Sequence, residues 1–308
     1  MGRVTARRRI IKVDAVTGSR TDRPDTLAVE EPLEIRLNGE PWVVTMRTPG
    51  NDIELAHGFL HSEGVIRSPD DVITARYCLG ATLGPSDDDI VPTRNANTYN
   101  VLNVSLAPGV TRPAARETGV TSACGMCGAD SIEAVRVRGS YGVAADPVTV
   151  SAETLVGLPD VLRRNQAVFE KTGGLHGAGL FTVEGELVCV REDVGRHNAV
   201  DKVVGWALLE NRLPLTGHVL QLSGRASFEL VQKAYLAGIP VVSAVSAPSS
   251  LAAETADELG VTLAGFVRGT SLNLYTRPDR VTTHRFPVMK PDPASVVTDE
   301  MVADLRDG

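Results

Sequence analysis

Residues 186–267 repeat one rhythm, and it constrains the fold more than any other feature of the chain. Short apolar runs at 186–190, 218–222, 240–245 and 262–267 read as strands. Between them, 198–209, 227–237 and 250–259 carry apolar residues at helical spacing, and Gly238 and Gly260 stop the last two. A β-α-β-α-β-α-β order predicts an α/β fold, a mostly parallel sheet flanked by helices. The first third is β-rich. Leu33–Leu37 alternates, Asn38–Gly39 signals a hairpin turn and Trp42–Met46 returns. Asp52 is expected to cap a helix that ends at Gly64, and Tyr99–Leu106 to form another strand. Pro108–Gly109 and Arg112–Pro113 mark a linker. The expected organisation is a smaller β-rich N-terminal domain over 1–115, an α/β domain over 116–290 and an acidic tail over 291–308.

Open parallel sheets bind ligands beyond the carboxyl ends of their strands. The segments 191–198, 223–227, 246–250 and 268–271 follow strands there, and a glycine-containing loop at 173–179 precedes the first. Helix N-termini with Ser/Thr caps and nearby arginines make anion sites. Arg196, Arg225 and Arg268 come from three different loops, and together they suit a ligand with several phosphates. Each loop alone reads as an ordinary βα turn; the convergence points to a ligand. No Walker A pattern is present and no G-x-G-x-x-G follows a strand, so neither a P-loop NTPase nor a Rossmann dehydrogenase is supported. His176 and His197 sit on the same rim. Asp193 and Asp201 are placed to orient His197 or Arg196, or to cap a helix. His57 and His61 fall on the first helix and read as structural, and Cys78 and Cys189 have apolar flanks that read as inert.

Chemistry enters at Thr121–Ser122–Ala123–Cys124–Gly125–Met126–Cys127–Gly128. Two thiols at this spacing share a proton, a disulfide, a metal or a sulfur atom. Glycine follows each cysteine, which argues for a mobile loop and hence a carrier geometry. The bland alternatives are a metal clip or a pair of buried small hydrophobes. Four cysteines in 308 residues are too few for a disulfide framework. Arg7–Arg8–Arg9–Ile10–Ile11 is followed by Lys12 and Asp14, which cut off any signal-peptide core, and no apolar run approaches the length of a membrane span. A reducing cytoplasm is therefore expected. A net charge of −7 and 4% aromatic residues argue against nucleic-acid binding.

Several motifs together resemble one family: Cys124-x-x-Cys127, Glu192–Lys202, Ser223–Ser227, Ala244–Ala247 and Gly265–Phe266 followed by Tyr275–Pro278. From about residue 30 to about residue 280 the chain is similar to the FdhD family of formate dehydrogenase accessory sulfurtransferases. The resemblance implies a cytidine deaminase-like fold and a homodimer. It implies that a cysteine desulfurase donates sulfur as a persulfide on Cys124, with Cys127 as its partner. The sulfur then passes to the molybdenum (or tungsten) bis-guanine-dinucleotide cofactor, a bound substrate and not a resident group, before formate dehydrogenase becomes active. The family's cofactor-binding segment matches Phe266, Val267, Arg268, Gly269, Thr270 and Ser271; the family pattern has a second basic residue where this chain has Ser271. Arg196, His197 and Arg225 complete the expected nucleotide-binding set, with no metal ligands, no nucleic acid and no membrane. Three alternatives compete. One is a cofactor-binding chaperone with idle cysteines. Another is a thiol–disulfide oxidoreductase, although the CxxC follows a Pro/Gly linker and not a strand. The third is a zinc nucleobase deaminase, whose H-x-E is matched by His61–Ser62–Glu63 but without a proline before Cys124.

Overall fold

The chain opens with an antiparallel ribbon, β1 (Thr5–Val13) and β2 (Arg20–Ala28), which the sequence pattern does not announce because both strands are largely polar. The fold is that of a computed structural model, which describes residues 3–78, 99–111, 135–136, 139 and 141–283. β3 (Glu31–Leu37) and β4 (Glu40–Arg47) follow as the expected hairpin. Asn38 and Gly39 both take positive φ, 54° and 90°, the backbone a tight hairpin turn requires. α1 (Asp52–Ser62) begins differently from expectation. Asn51, at φ 58°, holds the cap position, while the Asp52 carboxylate is taken by buried Arg47 at 3.0 Å. β5 (Val72–Tyr77) and β6 (Val101–Leu106) complete a four-stranded sheet in the order β4-β3-β6-β5, with β3 parallel to β6. Leu33, Ile35, Leu37, Leu55, Leu60 and Leu102 fill the core beneath it.

β7 (Val150–Ser151) leads into α2 (Ala152–Arg164), capped by Ser151, and α3 (Ala167–Thr172), which ends at left-handed Gly173. β8 (His176–Thr182), β9 (Leu187–Asp193), α4 (Arg196–Leu209), β10 (His218–Leu222), α5 (Phe228–Leu236), β11 (Val241–Ala244), α6 (Ser250–Leu259), β12 (Thr262–Arg268) and β13 (Ser271–Thr276) follow. β14 (Val281–Thr282) pairs in parallel with β7. The large sheet runs β13-β12-β11-β10-β8-β9. This α/β sheet is mixed, not mostly parallel: β10–β11 and β11–β12 are parallel, whereas β8–β9, β8–β10 and β12–β13 are antiparallel. The cause is local. Gly185 (φ 90°) and Gly269 (φ 58°) make short turns, and a short turn can only return the chain antiparallel. Residues 176–179, expected as loop, belong to β8. Its glycines answer close packing: a Cβ on Gly177 would lie 2.6 Å from Gln166, and one on Gly179 would lie 2.7 Å from Phe181.

α4 joins the two sheets. Eleven of its fourteen residues are buried, so no amphipathic stripe distinguishes it. It crosses α1 backbone to backbone. A Cβ on Gly58 would sit 1.8 Å from the Asp201 carbonyl oxygen, and one on Gly205 would sit 1.8 Å from that of Glu54. Among the described residues, no helix is long and apolar enough to cross a membrane.

Candidate functional site

The strand ends on one rim of the large sheet are knitted together by main-chain hydrogen bonds. Ser223 N donates to Gly177 O at 3.0 Å, Ser246 N to Gly224 O at 3.3 Å and Phe266 N to Ser246 O at 3.2 Å. The loops after β10 and β11, the start of β8 and the β12–β13 hairpin thus form one edge. Ser223 Oγ also accepts from Gly177 N at 2.8 Å. Phe266 is held at φ +51°, a conformation that strains a non-glycine residue, and the β12–β13 register shifts between Gly265 and Arg268. A Cβ on Gly265 would lie 2.9 Å from Pro248 and from Tyr275, so the bulge is packed tightly on both sides.

The expected site residues distribute over this rim. Arg268, Gly269, Thr270 and Ser271 form the exposed tip of the hairpin, Val267 is buried behind it, and the Arg268 guanidinium stands 5.8 Å from the Phe266 ring centroid. Arg225 is exposed in the loop after β10, while Arg196 and His197 begin α4. Burial lowers the pKa of the His176 imidazole most; Arg196, His197 and Arg225 lower it further, and Asp193 works against them. Arg268 and His176 both line a cavity of about 540 Å³. Cys124 and Cys127 lie outside the described residues, as does the expected tail.

His197 is held by Glu229, whose Oε2 lies 2.8 Å from Nε2, with Ser227 Oγ at 3.1 Å. Its Nδ1 and the Arg196 Nε are buried with no hydrogen-bond partner among the described residues. Burial pushes the Glu229 carboxyl up, but the bond from His197 and the charges of His197, Lys233 and Arg196 outweigh it, so the net direction is down. Asp193 and Asp201, expected to orient His197 or Arg196 or to cap a helix, are bonded as follows. Asp193 accepts from Lys202 Nζ at 2.7 Å, Gly195 N at 2.8 Å, Asn198 Nδ2 at 3.1 Å and Thr48 N at 3.1 Å. Burial raises its carboxyl pKa, and Lys202 works against that rise. Asp201 takes Lys233 at 2.7 Å and Ser62 at 3.1 Å. Both aspartates therefore staple α4 to its neighbours. The two helical histidines are structural, as expected: His57 Nδ1 lies 2.7 Å from Ile53 O, and His61 Nε2 lies 3.1 Å from Leu236 O. Burial pushes the Cys189 thiol up to about 12, which leaves it inert at neutral pH.

The cavity wall opposite the strand ends comes from α2 and α3, which the sequence reading passed over. Leu162, Arg163, Gln166 and Phe169 face it. Ser151 followed by Leu155, Leu158 and Leu162, with a stop at Gly173, is the signal that would have found these helices. Glu192, read only as part of a motif, fixes this wall: its carboxylate accepts from Val168 N at 2.9 Å and Phe169 N at 2.7 Å. It thereby caps α3 from β9. The rim can seat a polar, anionic ligand against a cavity lined by an aromatic ring and an amide.

Comparison with known proteins places the chain. The FdhD/NarQ family model matches residues 28–282. The Sulfur carrier protein FdhD of Mycobacterium tuberculosis is 54% identical over 287 residues, 92% of this chain and 100% of that protein. That of Streptomyces coelicolor is 56% identical over 285 residues, 91% and 97%. The Sulfolobus acidocaldarius protein of the same name is 43% identical over 274 residues, 89% and 98%. A crystal structure of a putative formate dehydrogenase accessory protein from Desulfotalea psychrophila shares the fold, with a TM-score of 0.68 at 22% identity, covering 91% of this chain and 100% of that one. The chain belongs to the FdhD/NarQ family.

Proposed function

We propose that the protein is a sulfur carrier that prepares the molybdenum bis-guanine-dinucleotide cofactor for formate dehydrogenase. The observation that carries this reading is the full-length match, above 50% identity, to relatives named sulfur carrier proteins. The Cys124–Cys127 pair supplies the chemistry. The Cys124 thiolate attacks the outer sulfur of a cysteine desulfurase persulfide; a new S–S bond forms on Cys124, and the donor leaves as its own thiolate. Cys127 then attacks the inner sulfur, the Cys124–Cys127 disulfide forms, and hydrosulfide departs toward the metal centre. A cellular dithiol returns the pair to thiols. The cofactor is cargo: its phosphates suit Arg196, Arg225 and the Phe266–Ser271 hairpin, and the rim supplies proximity and orientation, not redox chemistry. The setting is the cytoplasm, and the acting unit is a homodimer.

Mass spectrometry after incubation with a desulfurase and cysteine tests the carrier step. One extra sulfur atom per chain is expected, absent in Cys124→Ala. If Cys124→Ala still activates formate dehydrogenase fully, the carrier reading fails and a cofactor escort with idle cysteines takes its place.

A further inference from the structure

Gln166 is 3% exposed, yet its Nε2 has no hydrogen-bond partner among the described residues, and the side chain lines the 540 Å³ cavity. A buried amide donor left unpaired keeps its desolvation penalty, so its retention points to a partner that arrives with a ligand. The amide is also fixed in place. Its Cδ and Nε2 occupy the space that a Cβ on Gly177 would need, each 2.6 Å from that position. Its main-chain oxygen accepts from Glu170 N at 2.9 Å, and the Glu192 carboxylate pins the next turn. Beside it the Phe169 ring is backed by the Arg163 guanidinium, 4.2 Å from the ring centroid. A flat aromatic surface next to an unspent donor suits a planar heterocycle with a hydrogen-bonding edge. Among the described residues that line this cavity, Asp160 is the only carboxylate, and Arg268 adds a cation.

The chemistry of the edge selects the base. A donor and a carboxylate complement guanine, whose O6 accepts while N1–H and N2–H₂ donate. Adenine would set its N1 lone pair against the carboxylate. We propose that Gln166 and Asp160 are the specificity-determining residues for a guanine base resting on Phe169, with Arg268 directed to its phosphates. This assignment rests on the reading above that the cargo carries guanine nucleotides; it adds which residues recognise the base.

Calorimetric titration of the full chain with GDP, IDP and ADP tests it. GDP is expected to bind at least about tenfold tighter than ADP, the gain of one satisfied buried hydrogen bond. Gln166→Leu should shrink that ratio to within about threefold while leaving ADP unchanged. Asp160→Asn, a change at an exposed position that does not threaten folding, should remove the preference for GDP over IDP, which lacks the N2 amine. Arg268→Ala should weaken GDP and ADP alike. If GDP binds and neither Gln166→Leu nor Asp160→Asn alters these ratios, the assignment is overturned while the guanine cargo stands. If none of the three nucleotides binds the wild-type chain, the cargo reading falls and takes this one with it.

Discussion

Lys202 is the side chain whose loss should be felt most. It is 2% exposed and faces Asp193, which is fully buried, while Nζ also donates to Thr48 O at 3.0 Å and Glu192 O at 3.2 Å. Lys202→Met leaves a buried carboxylate without its counter-ion and should destabilise the fold by about 3–5 kcal/mol in urea denaturation. The double change Asp193→Asn with Lys202→Met should recover much of that loss; equal losses in single and double variants would show that the charge pair is not the cause. The next residue along, Glu192, predicts a different signature. Glu192→Gln keeps the shape but weakens the charge-assisted caps on Val168 and Phe169. Expected is a modest loss of stability, about 1 kcal/mol, with weaker nucleotide binding because Phe169 and Gln166 lose their anchor. Nucleotide affinity unchanged alongside that stability loss would separate the cap from the cavity.

Among the elements, the crossing of α1 and α4 is the least forgiving contact. Gly58→Ala and Gly205→Ala each drive a methyl group into a main-chain carbonyl at 1.8 Å, and backbone cannot rotate away as a side chain would. Each should cost about 3 kcal/mol or more, the upper end for overpacking, read as a fall in melting temperature. A cost under about 1 kcal/mol would mean that the helices separate freely. The elements also show what a sequence can reveal. The repeating unit over 186–267, the Asn38–Gly39 hairpin and the stops at Gly238 and Gly260 were legible because periodicity and positive φ leave local marks. β8 was not legible: Gly177 and Gly179 look like loop residues, and only the side chains of Gln166 and Phe181 explain why they stand in a strand. The antiparallel flanks escaped for a related reason, since strand direction is a property of pairing and not of composition. The rim itself was found from the loops, but Gln166 was not. Nothing local tells a buried, unspent amide from an exposed one, and the partners of Asp193 and Asp201 lie as far away as Thr48 and Ser62.

The whole molecule should respond to pH through its histidines. His57, His61 and His176 are all held below the ordinary value of 6.5, with burial the largest cause in each. A depressed imidazole means that the unfolded chain takes up the proton first as pH falls. Stability is therefore fully present above 6.5 and lost progressively below it, toward the folded-state pKa. Thermal melts should shift downward from pH 7 to pH 5.5, and His57→Gln should flatten that slope; a wild-type melting temperature constant over this interval would rule the mechanism out. At the same scale, the stitching of the rim has a consequence for how such a protein diverges. A seam sewn from amide and carbonyl groups is indifferent to what projects from it. Descendants can exchange the groups that grip a cargo, one by one, above a lattice that need not be rebuilt.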